Sequence, residues 1–162
     1  MRVCAIDYGD ARTGLAVSDP TGLLAGHTEV VEAYRPEAVA IRIAAVAREY
    51  GAGKLILGYP LNMDGTRGPR AEKAEAFAEL LRDATGLPVT LWDERRTTID
   101  AHQILRANGK NGRKRKKIVD AVAASLILEG YLAWERGQAS ASDKPGQASD
   151  GSAQTLQSSG EA

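Results

Sequence analysis

Val3-Cys4-Ala5-Ile6 puts no polar side chain on either face of an extended chain, and Leu55-Ile56-Leu57 repeats the pattern further on. Successive strand residues point to opposite sides of a sheet, so segments like these need cover on both. They predict central strands sandwiched between helices. The first strand spans Arg2–Asp7. Gly9 and Asp10 supply a turn, and Thr13–Ser18 follows closely enough for an antiparallel hairpin. A third strand is expected at His27–Val31, after a turn at Pro20, Thr21 and Gly22. Pro36 then opens a helix at its first position, with Val39, Ile43, Val46 and Ala47 at helical spacing and Gly51 and Gly53 at its end.

The second half alternates. Lys54–Gly58 reads as a buried parallel strand, Gly58–Gly68 as a loop, and 70–84 as a helix that turns Ala74, Phe77, Ala78 and Leu81 inward. Val89–Trp92 is the fifth strand. Thr97 with Asp100 resembles a capping box for a helix ending near Asn108-Gly109. A basic loop, Lys110–Lys117, leads to a last helix from Ile118 to about Arg136. Three meandering strands followed by alternating helices and strands imply an α/β chain: a mixed five-stranded sheet with helices on both faces.

At 162 residues the chain has room for one domain, expected over 1–136. Residues 137–162 are Ser, Ala, Gln and Gly with almost no large apolar side chain, and a disordered tail is expected there. The formal net charge is zero, and the tail carries two excess negative charges, so the domain is only slightly basic. Affinity for nucleic acid therefore needs a local patch. The single cysteine, Cys4, sits in an apolar strand and reads as a small buried hydrophobe. No apolar run approaches the roughly 20 residues of a membrane span. A cytoplasmic protein with no membrane partner is expected.

Three acids stand where burial makes charge costly. Asp7 ends the first strand, Glu94 follows the fifth, and Asp120 lies in the opening turn of a helix surrounded by Ile118, Val119, Ala121, Val122, Ala123 and Ala124. Each has a plain structural alternative: a turn former, a partner for Arg95 or Arg96, an acid favoured by a helix N-terminus. Together they point to one site, because carboxylates held close repel one another and need a cation. Oxygen donors suit Mg²⁺ or Mn²⁺, and two such ions about 4 Å apart support phosphodiester hydrolysis. His27 and His102 are isolated, and no His/Cys cluster for zinc is present. Asp93 is the alternative to Glu94, since adjacent strand residues face opposite ways.

Four blocks resemble the YqgF family, also called RuvX-like, of pre-16S ribosomal RNA nucleases. They are Asp7-Tyr-Gly9-Asp-Ala-Arg12-Thr-Gly14-Leu-Ala-Val-Ser18-Asp19, Gly58-Tyr-Pro60-Leu-Asn62-Met-Asp64-Gly65, Asp93-Glu94-Arg95 with Thr97-Thr98, and Asp120-Ala-Val-Ala-Ala. In order they span 1–136. The resemblance implies a ribonuclease H-like fold, with which the element order agrees, and a metal-dependent nuclease. It carries Asp7, Glu94 and Asp120 over as the acidic, metal-holding site. It implies precursor 16S rRNA as substrate, trimmed at its 5′ end, with the small ribosomal subunit as a candidate partner. Ala11 departs from the basic residue the family often has there, which bears on substrate contact at the hairpin.

Lys110, Arg113, Lys114, Arg115, Lys116 and Lys117 form a basic run just ahead of Asp120, suited to phosphate. Arg12, Arg67, Arg95 and Arg96 could add contacts. Asn62 either positions substrate or shapes its Pro/Gly loop. Trp92 and Trp134 read as packing residues. Three other functions compete. Holliday-junction resolution needs a two-fold dimer, and no dimer helix stands out, so a monomer acting on RNA ranks above branched DNA. An actin-like ATPase or sugar kinase shares the Asp-x-Gly hairpin but needs two such domains. A non-catalytic RNA-binding or transcription-assisting module has no need of all three acids.

Overall fold

A computed structural model of the chain describes residues 1–96 and 112–142, with side chains described over 1–96 and 117–139. The strands are β1 (Arg2–Asp7), β2 (Arg12–Ser18), β3 (Ala25–Glu32), β4 (Ala52–Tyr59) and β5 (Val89–Asp93). The helices are α1 (Pro36–Tyr50), α2 (Pro69–Thr85) and α3 (Gly112–Ser142), with a single 3₁₀ turn at Glu94–Arg96. Pro36 and Pro69 open α1 and α2, and Gly51 and Gly86 close them, each donating its N–H to Ala47 and Arg82 respectively.

One sheet runs in the order β3-β2-β1-β4-β5. β1 pairs antiparallel with β2 and β2 with β3; β4 runs parallel to both β1 and β5. The mixed sheet is the one expected, with β1 and β4 at its centre. Alternation along these strands sorts the core into two. Cys4, Ile6, Leu15, Val17, Leu55 and Leu57 pack against α1 and α2. Val3, Ala5, Ala16, Ile56 and Trp92 face α3, meeting Ala124, Ile127, Leu128, Tyr131 and Leu132.

The strands β3 and β4 are longer than their apolar runs, because ladder bonds continue past the residues that need burial. The larger correction concerns the basic run. Residues 112–117 are helix rather than loop, and α3 begins at Gly112. Arg and Lys are good helix formers, so the charge run continues the helix that the apolar residues after it define. At its other end α3 passes Gly137, where a tail was expected to start, and reaches Ser142. The chain divides after Leu132 into a compact unit, 1–132, and a segment from Ala133 whose described part is helical. The helix expected over 97–108 and residues 143–162 lie outside the described residues. Among the described residues no helix is long and apolar enough to cross a membrane.

Candidate active site

Asp7 belongs to the face that α3 covers, following Val3 and Ala5 by alternation. Two glycines open that face. Gly14 pairs directly with Asp7 across the β1–β2 ladder. A Cβ there would run into the Asp120 carbonyl oxygen, so the glycine lets the first turns of α3 lie against β2. Gly58, near the end of β4, is the second. A Cβ there would meet the Glu94 carboxylate, with the Ile127 Cδ1 at 2.9 Å. Glu94 therefore folds back over β4 from the 3₁₀ turn that follows β5.

The electrostatics follow from this crowding. Burial, then the charges of Glu94 and Asp120, push the Asp7 carboxyl up to about 7, against the opposing pull of Arg70. Glu94 is also raised, by burial, and Arg70 opposes that shift too. Burial raises Asp120, while a hydrogen bond from Arg12 Nε to its Oδ2 at 2.9 Å pulls the other way. Asp7, the deepest of the three, carries their mutual repulsion. Asp93 differs in kind. Its carboxylate takes Arg95 Nη2 at 2.7 Å and Nε at 3.0 Å, and those bonds hold it below the usual carboxylate range.

A cleft of about 220 Å³ has Glu94 in its wall, with Gly9, Gly58, Pro60, Arg70 and Lys73 among the other lining residues. An adjoining cleft shares Pro60, Arg70 and Glu94 and adds Asn62 and Arg95. The loop between them is clamped on two sides. Tyr59 and Arg67 both bond Glu75 of α2, and Arg95 Nη1 donates to the Met63 carbonyl at 3.3 Å.

A sequence model of the RuvX family, described as Holliday junction resolvase, matches residues 1–134. A protein named "Putative pre-16S rRNA nuclease" from Pelotomaculum thermopropionicum is 44% identical over 133 residues, 82% of this chain and 86% of that one. One of the same name from Syntrophus aciditrophicus is 45% identical over 82% of this chain and 88% of its own. The chain belongs to the RuvX family. In fold it is similar to Thermus thermophilus RuvC, solved with a Holliday junction substrate. That likeness has a TM-score of 0.55 and 20% identity, and covers 83% of this chain and 96% of that one. The nuclease of the phage G20c large terminase is similar at a TM-score of 0.50, with 15% identity over 80% of each chain.

Within this family frame, the residues singled out from the sequence fall into three groups. Asp7 feels the charges of both Glu94 and Asp120, and Glu94 rather than Asp93 acts on it. Arg12 and Arg95 are engaged by Asp120 and Asp93. Lys117 pairs with Glu32 at 3.0 Å, and Asn62 Nδ2 donates to Thr66 Oγ1 at 2.9 Å, closing its loop at the rim of the cleft. Of Arg113, Lys114, Arg115 and Lys116 only the helical backbone is described, and Lys110 lies outside the described residues. Sequence reasoning missed Arg70, which acts on both Asp7 and Glu94 and lines both clefts. Its one signal was position: the first turn of a helix that follows the Pro/Gly loop.

Proposed function

We propose that this chain is a metal-dependent nuclease that processes the 5′ end of precursor 16S rRNA. One observation carries the reading: the Asp7 carboxyl, raised to about 7 by burial and by the charges of Glu94 and Asp120, with Glu94 in the wall of a cleft, in a chain of the RuvX family. The substrate follows the names of the relatives, which match most of the chain.

The donor set fits a hard divalent cation. All three side chains offer oxygen, and among the described residues Arg70 lowers both Asp7 and Glu94. Among the described residues no group of three acids is arranged to hold an ion without adjustment. Asp120 would have to leave Arg12 to join Asp7 and Glu94. Asp7, Glu94 and Asp120 would hold Mg²⁺ or Mn²⁺, which would supply Lewis acidity for the phosphodiester and the hydrolytic water. Arg70 offers positive charge to the phosphate from the cleft wall. Arg12, exposed by a third of its side chain, can exchange Asp120 for a phosphate oxygen. The basic residues 113–117 precede Asp120 in α3, and their charge suits the flanking backbone.

Holliday-junction resolution is the second reading, favoured by the description of the matching family. It requires two sites related by two-fold symmetry, whereas rRNA trimming is satisfied by a monomer. One preparation offered precursor rRNA, single-stranded RNA and four-way DNA, with and without Mg²⁺ or Mn²⁺, decides between them. Metal-dependent cleavage of the precursor at its 5′ side supports the first reading. Cleavage restricted to the junction, by a dimer, replaces it with the second. No metal-dependent cleavage of any of the three rejects both.

A further inference from the structure

The acidic cleft does not end at Lys73. Tyr8, Asp10 and Lys73 also line a second, larger cleft of about 510 Å³, so the two adjoin at these residues. Beyond that shared edge the wall turns apolar and aromatic, with Tyr34, Pro36, Phe77 and Leu80. The Tyr8 ring stacks on Phe77, centroids 3.9 Å apart and planes 7° from parallel, which fixes its orientation. Tyr34, between β3 and α1, is 83% exposed. Lys73 pairs with Asp10 at 3.2 Å with both side chains largely in water, so a phosphate can compete for its ammonium at little cost.

We propose that this second cleft receives an unpaired nucleobase of the strand whose phosphate lies at the acidic cleft. The inference rests on the nuclease reading of that cleft. An occupant must reach both clefts across the Tyr8–Lys73 edge while alternating anionic and flat apolar groups. A nucleic-acid strand does so: Arg70 and Lys73 meet phosphates, and Tyr34 and Tyr8 offer aromatic surface to the next base. Aromatic platforms beside cations bind single strands with little sequence preference, because every base has a π-face. A paired base inside a duplex is already stacked and cannot enter, so the groove selects unpaired nucleotides beside the cleavage point.

The test uses the full chain in an Asp7→Asn background, to prevent cutting, and fluorescence anisotropy with three labelled probes. These are a single-stranded RNA oligonucleotide, the same length carrying an abasic tract, and a blunt RNA duplex. Tyr34→Ala should weaken binding of the single strand roughly 5- to 100-fold and leave the abasic and duplex probes nearly unchanged. Tyr34→Phe should restore most of the loss. Lys73→Gln should weaken the base-bearing and abasic strands alike and reduce the salt dependence of both. Unchanged affinity in Tyr34→Ala, or equal losses on base-bearing and abasic strands, overturns the proposal. If the chain with Asp7 intact cleaves precursor rRNA with metal and Tyr34→Ala binds normally, only the nucleobase groove is rejected. If the parent binds none of the probes and the intact chain cleaves nothing, the nuclease reading falls with it.

Discussion

The two faces of the sheet are built from the same strands but solve different problems. Toward α1 and α2, Cys4, Ile6, Leu15, Val17, Leu55 and Leu57 pack against Ile43, Val46, Phe77 and Leu81, and the layer is apolar. Toward α3, the corresponding positions shrink to Ala5, Gly14, Ala16 and Gly58, and Asp7 stands where the next apolar residue would be. Small residues let α3 approach until its backbone meets the Gly14 position. The first face spends its burial on stability. The second uses close approach to force carboxylates together, at a cost to stability.

Substitutions on each face should separate these roles. Asp7→Asn should lower metal-dependent cleavage on the order of 10³-fold, about 4 kcal/mol of barrier. The same change should raise metal-free stability at neutral pH. With its carboxyl raised to about 7 in the fold, Asp7 keeps a proton that the unfolded chain has already lost. Stability of the metal-free protein should therefore fall as pH rises from about 4 to 7 and level off above. Asp7→Asn should flatten that slope and recover about 1–3 kcal/mol at pH 8. Urea denaturation across pH reads both effects. A slope unchanged by the substitution would remove Asp7 from the buried acid cluster.

On the apolar face, Leu57→Ala should cost about 2–5 kcal/mol in denaturation while cleavage per folded molecule stays near that of the parent. A large loss of turnover in folded Leu57→Ala would blur the division between the faces. Gly58→Ala tests the opposite face. Its Cβ meets Glu94 and Ile127, so about 1–3 kcal/mol of overpacking should come with a loss of cleavage. Asp93→Asn should be the mildest. Its solvent-screened pair with Arg95 supports little stability, and cleavage should hold to within a few fold, in contrast to Glu94→Gln. Kinetics of the two neighbouring variants on one substrate read that contrast.

The division between faces was only half visible in the sequence. Apolar runs on both faces of β1 and β4 announced a covered sheet, and strand-end acids announced a cluster. The element order came from apolar spacing and turn residues, and family resemblance added the metal-dependent nuclease and its rRNA substrate. What stayed hidden was close approach. Gly14 and Gly58 look like ordinary turn or strand glycines until the helix backbone and the Glu94 carboxylate are seen at their Cβ positions. Alternation left Asp93 and Glu94 open because Glu94 lies beyond the strand, in a 3₁₀ turn where period-two reasoning stops. Arg70 was hidden for a related reason. Its effect on Asp7 and Glu94 comes from how α2 docks, not from any local pattern. The basic run reads as a loop because charge repetition carries no periodicity, yet Arg and Lys favour the helix that residues 112–117 form.

The account turns on Asp7 sharing one field with Glu94 and Asp120, and on that field accepting a divalent cation. Carbon-13 NMR titration of the Asp7 carboxyl, without metal and with saturating Mg²⁺, tests both at once. A midpoint near 7 without metal, falling by several pH units with Mg²⁺, is predicted. A midpoint near the ordinary aspartate value that ignores Mg²⁺ would contradict it.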